Sequence, residues 1–356
     1  MPRNDASLTV AGRTVASGRP LFTIAEIGLN HGGSLARALE MVDAAAAAGA
    51  SAVKLQSLEA AALVAPACPA PAHVDAESLT EFFATFELNE AAHHAVAARA
   101  RQHGLAFIAT PFSLDAVDML ERVGVDAFKI ASGDLTWDAL IDRVARCGTP
   151  LIMSTGMATL SEVSHAMATA RLAGATQIAL LHCVSAYPVP PGQENLRVID
   201  TLRRAFDAPV GLSDHGDDTC AVPIAVAYGA SIYERHFMLE GDTEAIDAPV
   251  SSTPAQFAQL VDAAARATEM LGCGDKRCVD AEAPNVVPSR RGLYAAKALV
   301  RGTVLEASML AALRPGDGVP ANALPHLVGA RLRCDVPAGS PLRFEDVESR
   351  QERRSA

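Results

Sequence analysis

The chain has 356 residues, of which 50% are hydrophobic and 20% are charged, and its formal net charge is −11 at pH 7. This length accommodates one barrel-sized domain of about 250 residues together with a smaller module. The negative charge argues against a broad affinity for nucleic acid or for anionic membranes. An anionic ligand must therefore be bound by local donors.

Cysteine usage and the chain start indicate the cellular compartment. Seven cysteines occur, at positions 68, 147, 183, 220, 273, 278 and 334. They form no CxxC pair and no zinc spacing, which indicates reduced thiols. Residues 1–20 show no signal-peptide pattern, and the Ala-rich run 44–48 is too short to span a bilayer. We therefore expect a soluble, cytoplasmic protein with neither a membrane nor a nucleic-acid partner.

The first predicted element is a hairpin over residues 7–18 around Ala11-Gly12-Arg13, which we expect to cover the lower end of the following domain. Eight short apolar runs follow, each of the length of a buried strand. They are residues 22–28, 52–56, 106–112, 127–132, 151–155, 178–185, 210–215 and 231–237. Helix-period stretches alternate with them, at residues 34–48, 89–103, 113–123, 159–173, 194–205 and 254–271.

Residues at the ends of these stretches support the helix predictions. Side chains that can cap a helix begin three of them, namely Ser34, Asn89 and Ser113. Glycines suited to a left-handed C-terminal cap follow several others, namely Gly104, Gly124, Gly148 and Gly174.

Strands that alternate with helices predict parallel pairing, and eight such units predict an α/β fold of the (β/α)8 TIM-barrel type over residues 1–271. An open doubly wound sheet is the alternative, but it usually has a Gly-rich first turn, and the Gly-Gly-Ser at 32–34 is not that fingerprint. Residues 58–76 are rich in Ala and Pro without a clear period. We expect them to form a long loop at the face of the barrel that meets substrate.

The periodic pattern ends at Leu271, and residues 272–289 have the Gly, Pro and charge content of a linker. Short strand-like pieces then occur at residues 293–299, 305–315, 329–339 and 341–347. They predict a small β-rich domain over residues 290–356. Because so small a domain has a marginal core, we expect it to dock on a neighbour.

Nearly every predicted barrel strand ends in polar residues, and such residues point toward the active site of a TIM barrel. In chain order they are Glu26, Lys54, Gln56, Thr110, Lys129, Ser132, Ser154, His182, Ser185, Tyr187, Ser213, Asp214, His215, Glu234 and His236. Any one of them could be a satisfied core group, but a ligand-free cluster would cost on the order of 1–3 kcal/mol for each unsatisfied group. The pattern therefore predicts a binding site.

Lysine is rare in this chain, with four among 30 basic residues, yet Lys54 and Lys129 lie inside apolar runs at the same strand position. Hydroxyls end the neighbouring strands, at Thr110, Ser132, Ser154, Ser185 and Ser213. Ammonium groups and hydroxyls together suit a small anion that carries a phosphate and a carboxylate. The alternative is that both lysines snorkel or form buried ion pairs with Glu26 or Asp134.

His215 and His236 end consecutive predicted strands, which brings their imidazoles side by side. Two neighbouring imidazoles can bind a divalent metal, with water and substrate oxygens completing an octahedral shell. Such an open site suits Mn²⁺ or Mg²⁺ better than a structural Zn²⁺. On spacing alone, two ordinary core histidines remain an equal alternative.

These residues lie in stretches that resemble the sialic acid synthase family, which includes N-acetylneuraminate, legionaminate and pseudaminate synthases. The matching stretches are AEIGLNHGGS (25–34), AVKLQS (52–57), ATPF (109–112), FKIASGDL (128–135), STGMATL (154–160), LHCVSAYP (181–188), GLSDH (211–215) and ERHF (234–237). In the small domain, SRRGLYAAK (289–297) and LRPGDGVP (313–320) resemble the antifreeze-like, or SAF, domain of that family. The resemblance runs in consistent order from about residue 8 to residue 347.

The resemblance implies a role for each matching position. His215 and His236 would hold the divalent metal, with Mn²⁺ favoured and Mg²⁺ or Co²⁺ as alternatives. Phosphoenolpyruvate would be bound by Lys54, Thr110, Lys129, Ser132, Ser154, Ser185 and Ser213. The acceptor-sugar contacts or acid/base groups would be Glu26, Gln56, Tyr187 and Asp247. Arg314 would reach from the SAF domain into the barrel of a second subunit, in a domain-swapped homodimer.

The implied activity is condensation of phosphoenolpyruvate with N-acetylmannosamine or a related N-acetylated amino sugar, with water added and phosphate released by C–O cleavage. N-acetylneuraminate synthesis is favoured, with legionaminate or pseudaminate synthesis as alternatives. The sequence departs from the family pattern at Ser185, where some members have Asn and which shortens one pocket donor, and at Arg235, where Lys is more usual and which agrees with this chain's preference for arginine. The loop 58–76 and the segment IDAPVSS (246–252) also differ from the common pattern, and these two bear on the choice of acceptor.

Two rival functions stay open. One is another phosphoenolpyruvate-aldol synthase of the 3-deoxy-2-keto sugar acid type, which would need an acceptor-phosphate site that no further Arg/Lys cluster provides. The other is a carbohydrate-binding SAF protein on an inactive barrel, which would predict loss of the polar strand ends.

Overall fold

The computed structural model describes residues 6–66, 68–69 and 78–348. By its internal contacts the chain divides into two compact units, Met1–Gly272 and Cys273–Ala356. The loop predicted at 58–76 lies partly outside the described residues. Two short helices flank the gap, and the sequence pattern did not predict either of them.

Parallel strands form a closed barrel in the first unit. In chain order they are β3 (Phe22–Gly28), β4 (Ala52–Ser57), β5 (Ala106–Pro111), β6 (Ala127–Ile130), β7 (Leu151–Ser154), β8 (Ile178–Cys183), β9 (Val210–Asp214) and β10 (Ile232–Phe237). Each pairs with the next, and β10 pairs with both β9 and β3, which closes the ring. The two-residue strand β11 (Ser251–Ser252) adds to β10 near the imidazole end. The predicted (β/α)8 barrel is confirmed.

Helices follow the strands around the barrel. They are α1 (Leu35–Ala47), α2 (Ala60–Leu63), α3 (Leu79–Ala84), α4 (Glu90–Gln102), α5 (Leu114–Val123), α6 (Asp138–Arg146), α7 (Leu160–Leu172), α8 (Val198–Ala205), α9 (Ala221–Ala227) and α10 (Pro254–Leu271). The predicted N-caps Ser34, Asn89 and Ser113 each accept a hydrogen bond from a first-turn N–H group. The sequence pattern missed α6 and α9 and began α8 too early.

The interior of the barrel changes from apolar to polar along each strand. Successive side chains of a strand point to opposite faces, so every second residue points inward. On β3 the inward series is Phe22, Ile24 and Glu26, and on β10 it is Ile232, Glu234 and His236. The apolar members form one buried cluster in the lower half of the barrel. The polar members therefore gather at the carboxyl ends of the strands.

The N-terminal hairpin covers the lower end of the barrel, as predicted. It consists of β1 (Ser7–Val10) and β2 (Arg13–Ala16), paired antiparallel. Leu8, Val10 and Val15 are buried in the same cluster as the apolar interior residues. Their burial keeps water away from the lower half of the barrel interior.

The second unit has its own small core and little regular structure. Its elements are α11 (Val286–Ser289), β12 (Gly292–Ala295), β13 (Leu310–Leu313) and α12 (Leu324–Leu327), with β12 and β13 paired antiparallel. Isolated bridges join Leu299 to Val336 and Val304 to Arg331. The strand-like pieces predicted for this domain are thus mostly short bridged segments around one core.

Two findings concern the chemical character of the chain. Each of the seven cysteines, all within the described residues, is a free thiol. Among the helices that the structure describes, no segment combines the length and hydrophobicity needed to cross a membrane.

Candidate active site

A polar cavity of about 350 Å³ opens at the carboxyl ends of the barrel strands. It brings together all of the site residues predicted from the sequence except His182, Asp214, Asp247 and Arg314. Those that line it are Glu26, Lys54, Gln56, Thr110, Lys129, Ser132, Ser154, Ser185, Tyr187, Ser213, His215 and His236. The remaining lining includes Phe112, Met157, Cys183 and Glu234. Both lysines and both imidazoles therefore face one cavity.

Two ammonium groups and two carboxylates form the buried centre of this cavity. Lys54 Nζ lies 3.1 Å from Glu26 Oε2 and 3.3 Å from Glu234 Oε1, and Lys129 Nζ lies 3.8 Å from the same Glu234 oxygen. Each of the four side chains is at most 6% exposed. The buried ion pair between Lys54 and Glu26, left open as an alternative by the sequence, is thus present beside the cavity.

Protonation in this cluster follows from burial and mutual attraction. Burial alone favours the neutral form of Glu234, but the adjacent Lys129 and Lys54 ammonium groups outweigh it and lower the Glu234 pKa to about 2. Burial works against the charge on Lys54, yet Glu234 and Glu26 raise its pKa above the ordinary value. For Lys129, burial prevails and lowers the pKa. Lys54 and Glu234 are therefore charged at neutral pH.

Hydroxyl groups surround the ammonium groups. Lys129 Nζ donates to Ser154 Oγ at 2.6 Å, and Lys54 Nζ donates to Thr110 Oγ1 at 3.4 Å. Ser213 Oγ donates to Glu234 Oε1 at 3.1 Å. The hydroxyls hold the charged groups in place and leave further lone pairs and protons for a ligand.

Gly156 closes one corner of the cavity against two serines. Its N–H group donates to Ser132 Oγ at 3.0 Å. A Cβ atom at this position would lie 2.3 Å from Ser185 Oγ and 2.8 Å from Ser132 Oγ. Only glycine therefore lets the backbone approach this pair of hydroxyls.

The two imidazoles lie side by side, with ring centroids 5.4 Å apart. His215 Nδ1 lies 3.2 Å from the Val184 carbonyl oxygen, which leaves Nε2 as the nitrogen free to face the cavity. Burial, reinforced by the neighbouring His236, lowers the pKa of His215 to about 3. The ring of Tyr187 packs on His215 at a centroid distance of 4.3 Å. Neutral His215 is thus in the form that ligates a metal.

This donor set fits an open divalent-metal site rather than a closed one. Among the described residues, no group of three His, Cys, Asp or Glu side chains has metal-binding geometry. Two protein ligands would leave the remaining positions to water and substrate oxygens, the arrangement suited to octahedral Mn²⁺ or Mg²⁺. His236 Nδ1 is buried without a hydrogen-bond partner, although Asp247 Oδ2 lies 3.2 Å from it.

Asp247 lies beside His236, although it is not among the residues that line the cavity, and Asn30 holds its backbone. Asn30 Oδ1 accepts from the Asp247 N–H at 2.9 Å, while its Nδ2 donates to the Phe237 carbonyl and to Ser251 Oγ, both at 2.9 Å. Ser251 Oγ donates in turn to the Asp247 carbonyl at 2.7 Å. All hydrogen-bonding groups of this buried amide therefore fasten the segment that carries Asp247 to β10.

Glu26 and Gln56 form a second contact at the cavity rim. Gln56 Nε2 donates to Glu26 Oε1 at 3.0 Å. A Cβ atom on Gly28, whose φ is +54°, would lie 3.2 to 3.4 Å from Asp247, Gln56 and Glu26. The glycine thus allows these three side chains to converge. Arg314 belongs to the second unit, where its side chain is exposed.

Two residues that hold the site together have no assigned role in the sequence analysis. The sequence identifies Glu234 only as a polar strand-end residue, and it gives no signal for Asn30. The inward period-two series of β10 would have placed Glu234 directly below His236. Asn30 follows its strand in a loop, where no periodicity applies, so only the folded structure shows its contacts.

A larger groove of about 790 Å³ lies between the loops that follow β8 and β9. Its lining is mainly apolar, and three of its four charged side chains are acidic, namely Glu194, Asp217 and Asp218 beside Arg197. It contains no lysine and no histidine, so it suits an anionic ligand less than the strand-end cavity does.

The fold and the site define a class: a (β/α)8 barrel with a cationic cavity and an adjacent imidazole pair, joined to a small β domain. The NeuB family model matches residues 41–276, and the SAF domain model matches residues 290–348. The chain therefore belongs to the NeuB family and carries a SAF domain.

Individual relatives agree over nearly the full length. N,N'-diacetyllegionaminic acid synthase of Legionella pneumophila is 34% identical, covering 92% of this chain and 95% of that protein. Pseudaminic acid synthase of Campylobacter jejuni is 30% identical, covering 92% and 97% respectively. The crystal structure of N-acetylneuraminic acid synthetase from Leptospira borgpetersenii, at 31% identity, superposes with a TM-score of 0.72 over 79% of this chain and 95% of that one.

The first prediction concerns the shared counter-ion. Glu234→Gln should lower the free energy of unfolding by about 3 kcal/mol, because breaking a buried ion pair leaves uncompensated buried charge. Urea unfolding at pH 7 measures the change. Glu90→Gln is the matched control, since Glu90 pairs with Arg122 at the surface, where an ion pair contributes little to stability. If both substitutions lowered the free energy of unfolding equally, Glu234 would not be the buried counter-ion of the two lysines.

The second prediction concerns acid stability. His31 is fully buried, its Nδ1 accepts from the Gly33 N–H at 3.0 Å, and its Nε2 has no hydrogen-bond partner. Burial, with smaller contributions from His93 and Arg37, lowers the His31 pKa to about 4. The unfolded chain, with a histidine pKa of about 6.5, therefore binds more protons between pH 6.5 and 4. The stability contributed by neutral His31 is complete above pH 6.5 and is lost on acidification toward pH 4.

His31→Gln should accordingly lose less stability than the wild type between pH 7 and pH 5, whatever its stability at pH 7. Urea unfolding at pH 7, 6 and 5 gives the slope of the free energy of unfolding against pH. His165→Gln, which removes an exposed imidazole beside Asp138, is the control and should keep the wild-type slope. An unchanged slope in His31→Gln would show that His31 is not the titrating group.

Proposed function

We propose that this protein is a phosphoenolpyruvate-dependent nonulosonic acid synthase that condenses phosphoenolpyruvate with an N-acetylated amino-sugar aldehyde and water. The observation that carries the proposal is the convergence of Lys54, Lys129, His215 and His236 on one cavity. Ammonium groups suit the anionic substrate, and the imidazole pair suits a metal that polarises the acceptor. The names of the NeuB-family relatives support the same product class.

The anion would bind where the two lysines meet the hydroxyls of β5, β7 and β9. The charge of Lys129 is balanced less well than the charge of Lys54. Lys129 Nζ lies 3.8 Å from Glu234, whereas Lys54 Nζ has two carboxylate partners at 3.1 and 3.3 Å. A phosphate or carboxylate oxygen beside Lys129 would relieve that imbalance. The serine and threonine hydroxyls named above would donate to the remaining oxygens.

His215 and His236 would hold the divalent ion, with Mn²⁺ favoured and Mg²⁺ or Co²⁺ as alternatives. A bound ion supplies Lewis-acid polarisation of the acceptor carbonyl and stabilises the developing oxyanion. The protein fixes the ligand geometry: the Val184 carbonyl orients the His215 ring, and Tyr187 packs against its face.

The reaction balances without any redox partner. Carbon 3 of the enolpyruvate bonds to the aldehyde carbon, and water adds to carbon 2. The bond between carbon 2 and the bridging oxygen then breaks, and that oxygen leaves with the phosphate. Glu26 and Asp247 are the candidates for moving the protons of the water and the sugar, because both lie beside His236.

The acceptor would be positioned by Gln56, Tyr187 and Asp247. Tyr187 is 57% exposed, which leaves its ring available to cover a bound sugar. Arg314 would come from the SAF domain of a second copy of the chain, in a domain-swapped homodimer. A guanidinium can anchor an N-acetyl or hydroxyl group and close the pocket. N-acetylmannosamine is our first acceptor candidate, and the diacetamido-trideoxyhexoses of legionaminate and pseudaminate synthesis are the others.

The third prediction tests activity and the metal together. With Mn²⁺, phosphoenolpyruvate and each of the three acceptor sugars in turn, the protein should release phosphate with one of them. His215→Ala and His236→Ala should each lower the rate by at least about 100-fold, because each removes half of the protein's metal ligands. Phosphate release is followed by a colorimetric assay after chelation and re-addition of Mn²⁺.

His165→Ala, which removes an exposed imidazole, should retain the wild-type rate. Circular dichroism checks that the variants fold. A near-wild-type rate of either site variant after chelation would show that the metal assignment is wrong, and the absence of phosphate release with all three sugars would favour a carbohydrate-binding protein on an inactive barrel.

The fourth prediction concerns which bond breaks. In water enriched in ¹⁸O, mass spectrometry should find the label in the sugar acid and not in the released phosphate. The reason is that water adds to carbon 2 while the bridging oxygen departs with phosphorus. Label in the phosphate would instead indicate P–O cleavage and would contradict the proposed scheme.

A further inference from the structure

The two strands that carry the imidazoles are tied together by polar groups on the opposite face of the sheet. Asp214 and Arg235 directly precede His215 and His236, and successive side chains of a strand point to opposite faces. Asp214 and Arg235 are register partners in the pairing of β9 with β10. They are 6% and 7% exposed, so both charged groups are buried outside the cavity.

The Arg235 guanidinium holds two other segments of backbone. Its Nη1 donates to the carbonyl of Gly216, the residue that directly follows His215. Its Nε donates to Ser252 Oγ at 3.1 Å, and Ser252 lies in β11, paired with Phe237. One planar group thus joins the end of β9 to β11 across β10.

Asp214 completes this arrangement from the other side. Its Oδ1 accepts from the Gly216 N–H at 2.9 Å, and its Oδ2 accepts from the Tyr233 hydroxyl at 2.8 Å. Asp214 Oδ2 also lies 3.6 Å from Arg235 Nη1. Both polar groups of Gly216 are therefore fixed by buried side chains, immediately after the imidazole-bearing residue.

Resting on the metal site of the proposed function, we propose that Arg235 is a positioning residue that sets the His215 imidazole relative to that of His236 and thereby the affinity for a divalent metal. Groups that orient metal ligands from outside the coordination shell commonly change metal affinity 10- to 100-fold when removed. The guanidinium is suited to this task because its nitrogens lie in a rigid fork and reach both anchors at fixed angles.

Arg235→Met is the informative substitution, and it is the fifth prediction. Methionine keeps an unbranched side chain but cannot donate to the Gly216 carbonyl or to Ser252 Oγ, so both anchors are lost. The dissociation constant for Mn²⁺ should rise by about tenfold or more. It is measured without substrates, by electron paramagnetic resonance of free Mn²⁺ in titrations of the intact chain. The affinity for phosphoenolpyruvate in the absence of metal should change less than about twofold, because the lysine cluster is untouched.

Two further variants keep the test decisive. Ser252→Ala removes one anchor while Arg235 and Asp214 remain, so the dissociation constant for Mn²⁺ should rise by about two- to tenfold, the range expected for one hydrogen bond. Arg203→Met is the matched control: Arg203 donates to the Tyr228 carbonyl at 2.9 Å on the helix side of the barrel. Its Mn²⁺ affinity should equal that of the wild type, because this contact does not involve either imidazole-bearing strand end.

The outcomes separate the inference from the function on which it rests. Wild-type protein that binds Mn²⁺, with folded Arg235→Met and Ser252→Ala binding it equally well, would overturn the positioning role alone. Wild-type protein that binds no more Mn²⁺ than His215→Ala would overturn the metal site and the inference together. If Arg235→Met fails to fold by circular dichroism, Ser252→Ala decides the question.

Discussion

Two buried ammonium groups share one carboxylate at the mouth of the barrel, and the rest of the site is arranged around them. Glu234 offsets part of the cost of burying both lysines, which is several kcal/mol for each ion, and Glu26 adds a second partner for Lys54. The apolar lower half and the N-terminal hairpin exclude water beneath them. Because the effective dielectric constant is low where water is excluded, a small anion would interact with these ammonium groups more strongly than with lysines at the surface.

On β10 the inward-facing side chains line the cavity, whereas the outward-facing side chains hold neighbouring segments of backbone. Inward residues of β10 provide Glu234 and His236, whereas the outward Tyr233 and Arg235 belong to the polar network that ties β9, β10 and β11 together. This division lets the binding groups meet a ligand while buried neighbours hold their backbone. Asn30 has a comparable role, because its side-chain amide hydrogen-bonds both the Asp247 backbone and the Phe237 carbonyl of β10.

Membership of the NeuB family agrees with this reading of the cavity without supplying its details. Relatives that make legionaminic and pseudaminic acid are similarly close to this chain, at 34% and 30% identity, so similarity alone does not choose between acceptors. The residues proposed to contact the acceptor lie on loops and strand ends, where small changes of side chain alter shape without altering the fold. The proposed anion-binding centre is built from buried strand residues, where a change of side chain disturbs the packing around it.

The sequence by itself determined the barrel, the positions of its strands and most of the cavity lining, because strand length, helix caps and strand-end polarity are local patterns. Lys54, Lys129, His215 and His236 were found in this way. Tertiary structure decided what those patterns cannot contain: that Glu234 bridges both lysines, that Asn30 holds Asp247, and that Arg235 reaches Gly216 and Ser252. Each of these contacts joins segments distant in sequence, and a side chain's partner across a closed sheet depends on register and facing, which only the folded chain fixes.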